Sequence, residues 1–316
     1  MQHRNGKIGV IDLGTNTFNL LIAEKNQRDS FKKLTSHRIP VLLGEKTIAS
    51  NTISAPAFER GINAMREFAE ILKKHDVHNI KALATSALRT SINALDFTNK
   101  VHQDTGIKIE VISGDKEAEL IFAGNRAAAG LADKYSLIMD IGGGSTEFII
   151  GNSDGIYWKK SYLLGAARLL AKFNPEDPVS KDTINRIENY FESELQSLIE
   201  ILRTAKVIEL IGSSGAFDSF AEMIDAEFKS LNFTEKQPVY CYDLNQYNQL
   251  ADRVINSTLS QRLLMRGLIP MRAEMIVISF IFTNYILRKT GVDTFRSTTW
   301  SLKEGAVLEW INTQPL

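Results

Sequence analysis

Two short apolar runs that each end on Asp-x-Gly constrain this chain more than any other feature. The first, Ile8–Ile11, leads into Asp12-Leu13-Gly14-Thr15-Asn16-Thr17 and is followed by the apolar run Phe18–Ile22. The second begins at Leu137, leads into Asp140-Ile141-Gly142-Gly143-Gly144-Ser145-Thr146-Glu147, and continues as Phe148-Ile149-Ile150. Apolar run, glycine turn and second apolar run read as a β-hairpin. Aligning the two hairpins sets Asp12 on Asp140, Gly14 on Gly142 and Thr17 on Ser145, so the chain carries an internal repeat. One Asp-Gly turn is ordinary hairpin chemistry. The same polar residues repeated in two hairpins are hard to explain by packing.

Glycine lets a backbone turn tightly and approach an anion, so that consecutive N–H groups form a concavity for phosphate. On this ground Gly14, Thr15, Asn16 and Thr17, and Gly142, Gly143, Gly144 and Ser145, are candidate phosphate-binding residues. Asp12 and Asp140 carry the wrong sign to bind phosphate directly. They can hold a hydrated Mg²⁺ (or Mn²⁺) that does.

Between and after the hairpins, helical and strand patterns alternate, which indicates an α/β architecture. A helix opening at Pro56 sets Phe58, Ile62, Met65, Ala69 and Leu72 on one face, and strand Ile80–Ala84 leads into Thr85-Ser86-Ala87-Leu88-Arg89. Helix is expected from Asp115 to Ala129, ended by Gly130, and as one long amphipathic stretch from Ser180 to Arg203. Strand Val207–Ile211 runs into Gly212-Ser213-Ser214-Gly215-Ala216, and Met275–Phe282 reads as a buried helix too short to span a membrane. The reading gives two domains, residues 1–123 joined by a C-terminal helix at about 300–316, and residues 124–299.

Lys+Arg and Asp+Glu number 37 each, so no overall basic field draws nucleic acid, and an anion site must be local. Cys241 is the only cysteine, which excludes an internal disulfide and suits a reducing compartment. With no secretory leader pattern and no spanning segment, the expected location is cytoplasmic, without a membrane partner. The five histidines show no metal-ligand spacing.

The hairpins resemble the two phosphate motifs of the superfamily that holds actin, sugar and acetate kinases and the heat-shock chaperone ATPases. Ser113-Gly114-x-x-Glu117-Ala118-x-Leu120-Ile121-Phe122 and the Asp140–Glu147 segment resemble one branch of it, the exopolyphosphatase/guanosine pentaphosphate phosphatase family. So do Ala84–Arg89, Leu164–Leu169, Gly212–Gly215, Arg272–Ile276 and Leu302–Gly305, and the resemblance runs from about Lys7 to Trp310. It implies two actin-like (ribonuclease H-like) domains, each with a mixed five-stranded sheet and flanking helices, and a cleft between them that holds the site. It further implies that Glu117 activates water, that Glu147 assists and serves the metal with Asp12 and Asp140, and that Arg89, Arg168, Gly212, Ser213 and Arg272 join the phosphate contacts. A homodimer is compatible with it.

Taken alone, Glu117 reads as a solvated carboxylate in a first helical turn, stabilised by the dipole, and Arg89 as a surface cation. Asn19 stands where the family often has a basic residue, and Lys116 and Glu119 reverse the local charges around Glu117. The expected activity is Mg²⁺-dependent hydrolysis of a terminal phosphoanhydride, from polyphosphate or guanosine pentaphosphate. The altered charges motivate an alternative, a nucleotide or alarmone sensor without turnover. The superfamily fold motivates a third, an ATP-dependent kinase.

Overall fold

The computed structural model describes residues 6–26, 30–44, 51–229 and 238–313. The chain divides into two compact units, Met1–Gly124 with Ser301–Leu316, and Asn125–Trp300.

The first unit is built on a five-stranded sheet. β1 (Lys7–Leu13), β2 (Thr17–Lys25) and β3 (Phe31–Pro40) form an antiparallel meander, and β4 (Asn79–Ala84) and β5 (Ile109–Val111) add parallel strands in the order β3-β2-β1-β4-β5. α1 (Ala55–Lys74) has Pro56 in its first turn, where its missing N–H costs nothing, and ends on Lys73 and Lys74, which complement the helix dipole. It buries Ala57, Ile62, Met65, Phe68 and Leu72. Phe58 and Ala69, expected on the central stripe, flank it instead and pack at its edge. α2 (Ser86–Thr90) is a single short turn of helix, followed by α3 (Ala94–Thr105) and α4 (Gly114–Ala129). The C-terminal helix (Leu302–Thr313) packs on β1 and β2. There the Lys116 ammonium of α4 and the Lys81 ammonium of β4 both bind the Glu309 carboxylate.

In the second unit β6 (Ser136–Ile141), β7 (Thr146–Gly151) and β8 (Ile156–Tyr162) repeat the antiparallel meander, and β9 (Glu209–Ser213) pairs parallel to β6. β10 (Val239–Cys241) and β11 (Thr294–Thr298) complete the order β10-β11-β9-β6-β7-β8. Three antiparallel strands followed by two parallel ones therefore occur in both units. The second sheet has six strands where five were expected, because β10 adds antiparallel to the outer edge of β11.

α5 (Ala166–Phe173) follows β8, and the expected long helix is two, α6 (Lys181–Glu194) and α7 (Gln196–Ala205). The break falls at Leu195, whose backbone leaves helical geometry (φ −97°, ψ 16°) while its side chain stays buried. α8 (Gly215–Phe228), α9 (Leu244–Ile255) and the short α10 (Leu259–Arg262) lead to α11 (Ile276–Thr290). α11 is apolar around most of its circumference, and its Phe282 stacks on Phe191 with ring centroids 4.1 Å apart, as befits a central core helix. Among the described residues no helix is long and apolar enough to cross a membrane.

Candidate active site

Both glycine turns close with the same hydrogen bond. The Gly14 N–H donates to the Thr17 carbonyl at 3.1 Å, and the Gly142 N–H to the Ser145 carbonyl at 3.0 Å. A side chain at either glycine would meet that carbonyl oxygen, at 2.9 Å and 3.0 Å respectively, which explains the residue at both places.

In each turn most of the carbonyl oxygens accept hydrogen bonds from the protein itself. The Leu13 oxygen accepts from the Thr85 N–H and hydroxyl, that of Thr15 from the Gly44 N–H, and that of Asn16 from the Val41 and Leu42 N–H groups. In the second turn the Ile141 oxygen accepts from the Ser214 hydroxyl, and that of Gly142 from the Ala166 N–H. The Gly143 oxygen accepts from the N–H groups of Ala167 and Arg168, and that of Gly144 from Arg168 Nε at 3.0 Å. A trans peptide points its N–H away from the preceding carbonyl. With those carbonyls engaged, the N–H groups of Thr17, and of Gly143, Gly144 and Ser145, point away from the groups that hold them.

The N-terminus of α5 thus caps itself on the turn. Gly165 permits this, since a side chain there would come within 2.4 Å of the Gly143 carbonyl. Arg168, expected as a phosphate contact, braces the turn through Gly144, and burial pulls its guanidinium below its ordinary range.

The acidic residues lie at the same register positions in the two hairpins. Asp12 sits opposite Asn19 across β1 and β2, and Asp140 opposite Glu147 across β6 and β7. Asp140 and Glu147 are 5% and 1% exposed, so the turn is flanked by two neighbouring buried carboxylates. The Ser161 hydroxyl of β8 donates to Glu147 Oε1 at 2.7 Å. No three His, Cys, Asp or Glu residues form an all-protein metal cage among the described residues. Mg²⁺ needs none: it binds through one or two carboxylates, water and phosphate oxygens, which the Asp140–Glu147 pair fits.

Glu117 lies in the first turn of α4 and is 7% exposed, not the solvated carboxylate that its position alone suggests. Its Oε2 accepts from Arg89 Nη1 at 2.9 Å, and the same nitrogen donates to the Ile112 carbonyl. Lys116 and Glu119 do not share that pocket. Lys116 points to Glu309 and lies 3.9 Å from Glu119.

Gly212 and Ser213 are buried beneath the surface. The Phe217 ring fills the space beside Gly212, and the Ser213 hydroxyl accepts from the buried Asn125 amide at 3.1 Å. Ser213, expected as a phosphate contact, is 0% exposed, with its hydroxyl engaged by Asn125. Arg272 lies over Gly215, where any side chain would strike the guanidinium, and donates to the Ser219 hydroxyl at 2.6 Å.

The sequence profile of the Ppx/GppA phosphatase family matches residues 21–314. The chain belongs to the Ppx/GppA phosphatase family. An exopolyphosphatase crystal structure from Cytophaga hutchinsonii shares 36% identity and a TM-score of 0.94, covering 98% of this chain and 99% of that one. Exopolyphosphatase 1 of Mycobacterium leprae is 26% identical over 309 residues, 98% of this chain and 90% of that protein. The Aquifex aeolicus family member, at 20% identity and a TM-score of 0.82 over 98% of this chain and 99% of its own, shares the fold. Ppx/GppA membership confirms the resemblance drawn from the motifs.

Thr85 and Ser161 support the turns and carry no expectation of their own in the sequence reading. Thr85 lies within the Ala84–Arg89 segment. The signal for Ser161 was the third strand of the repeated meander, which its sequence did not disclose.

Proposed function

We propose that this Ppx/GppA phosphatase hydrolyses the terminal phosphoanhydride of inorganic polyphosphate, with guanosine pentaphosphate as an alternative substrate for the same chemistry. The observation that carries the reading is the accounting of carbonyls in the two turns, which orients the N–H groups of Thr17, Gly143, Gly144 and Ser145 away from the groups that hold those carbonyls, as a phosphate-holding turn requires. The names of the Cytophaga and Mycobacterium relatives support polyphosphate.

In this reading Glu117 takes a proton from water, whose oxygen attacks the terminal phosphorus as the bond to the leaving phosphate oxygen breaks. The products are inorganic phosphate and a chain shorter by one unit. Mg²⁺ held at Asp140 and Glu147, with Asp12 as a further candidate ligand, would neutralise phosphoryl charge. The Arg89 guanidinium, hydrogen-bonded to Glu117, is suited to bind a phosphoryl oxygen beside the base. Hydrolysis is preferred to a sensor without turnover because the reversed charges at Lys116 and Glu119 are engaged away from the Arg89–Glu117 pair.

Purified protein with Mg²⁺ is assayed for phosphate release from tripolyphosphate, longer polyphosphates, guanosine pentaphosphate and ATP. Release from polyphosphate or the pentaphosphate is expected. Release from none contradicts the reading, and transfer from ATP to an acceptor would reinstate a kinase.

A further inference from the structure

The repeated hairpins carry a third strand each, and the three strands line up one side chain apiece. In the first unit Asp12 sits opposite Asn19, and Asn19 opposite Arg38. In the second, Asp140 sits opposite Glu147, and Glu147 opposite Ser161. Residues directly opposed on neighbouring strands project from the same face of a sheet. The first row is also hydrogen-bonded along its length, and in the second the Ser161 hydroxyl donates to Glu147. Asn19 Nδ2 donates to Asp12 Oδ2 and to Thr17 Oγ1, both at 3.3 Å, and Arg38 Nε donates to Asn19 Oδ1 at 3.2 Å.

The two rows share a register and differ in charge, the first formally neutral and the second carrying two carboxylates. Asp140, Glu147 and Ser161 place two carboxylates beside their turn, a set that suits a cation. Asp12, Asn19 and Arg38 place one carboxylate and one guanidinium beside theirs, a set that can accept an anion. A guanidinium on an exposed strand is ordinarily a solvated cation. Here its Nε donates to Asn19, a residue that itself donates to the Thr17 hydroxyl of the glycine turn, which ties the guanidinium to that turn through one intermediate side chain.

We propose that Arg38 is a phosphate-binding residue of the first turn, held in place by Asn19, and that the two repeats have separated into an anion-binding row and a cation-binding row. The proposal rests on the phosphoanhydride reading above. It also accounts for Asn19: the basic group expected at that position is supplied one strand further out.

The test compares full-length wild type with Arg38→Gln and Arg38→Lys, using tripolyphosphate as the probe. Calorimetry with Mg²⁺ withheld gives its Kd, phosphate release with Mg²⁺ gives KM and kcat, and thermal melting reports folding. One charge-assisted hydrogen-bonding group should count for about 10-fold or more. Arg38→Gln is expected to raise Kd and KM by about that factor while kcat falls far less and Tm holds, and Arg38→Lys is expected to recover part of the affinity. An active wild type whose Arg38→Gln variant keeps its Kd and KM overturns the role of Arg38 and leaves the hydrolase reading standing. Wild type that binds tripolyphosphate without cleaving it, with binding weakened in Arg38→Gln, upholds Arg38 and removes hydrolysis. Wild type that does not bind tripolyphosphate removes both.

Discussion

Arg89 Nη1 lies 2.9 Å from Glu117 Oε2 and 3.0 Å from the Ile112 carbonyl oxygen, so one guanidinium nitrogen joins the expected base to the strand end before its helix. The pair is mostly buried, with side chains 21% and 9% exposed. Arg89→Met therefore removes the cation beside a buried carboxylate, at a cost of about 1–3 kcal/mol in stability. It should lower kcat/KM by about tenfold or more. Because the two residues act as a unit, the Arg89→Met/Glu117→Gln double variant should lose less activity than the product of the single losses. A strictly multiplicative cycle, measured by phosphate release, would show that they act independently.

Gly165→Ala tests the brace under the second turn. The added methyl would come within 2.4 Å of Gly143 and Gly144 backbone atoms, so either the turn or the start of α5 must move. Overpacking of this kind costs about 1–3 kcal/mol, and displacement of the turn should reduce activity together with stability. Urea denaturation and a phosphate-release assay on the same preparation check both. A variant as stable and active as wild type would mean that the contact is not needed.

The repeat was legible because its evidence is local: an aspartate, glycines and hydroxyls within eight residues. The Arg89–Glu117 and Asp12–Asn19–Arg38 relationships were not, since they depend on strand register and helix placement far apart in the chain. β3 and β8 escaped notice for a related reason. Phe31–Pro40 and Ile156–Tyr162 each carry a Lys pair that interrupts the apolar pattern, because each is an edge strand and half exposed. β10 is only three residues long. The break at Leu195 was hidden because the apolar stripe of α6 continues through Leu195 into Leu198, and periodicity records burial, not backbone geometry. The site residues followed the same division. The turns, Asp140, Glu147 and Glu117 stood out by type and spacing, whereas the burial of Ser213 and the bracing role of Arg168 are set by neighbours from other segments.

Lys116 illustrates a charge whose meaning changed with its partner. Burial opposes ionisation of Glu309, but hydrogen bonds from Lys116 and Lys81 outweigh it and hold the carboxyl below its ordinary value of 4.5. A carboxyl depressed in the folded state contributes stability above its unfolded pKa and loses that contribution as pH falls through the folded value. Glu309→Gln should therefore lower Tm at neutral pH, and the difference from wild type should shrink as pH drops below about 4.5. A difference independent of pH would show that the cluster contributes nothing through its charge.

The central claim is that Glu117 takes the proton of the attacking water. Glu117→Gln keeps the size and hydrogen-bonding reach of the side chain and removes its basicity. If the claim holds, kcat for phosphate release falls by about 10²–10⁴-fold, while tripolyphosphate binding changes little. A helix-start carboxylate with only a structural role would instead shift stability by about 0.3–1 kcal/mol and leave turnover near normal. Single-turnover phosphate release by folded Glu117→Gln decides: a loss of two orders of magnitude or more upholds Glu117 as the base, and a rate within a few-fold of wild type contradicts it.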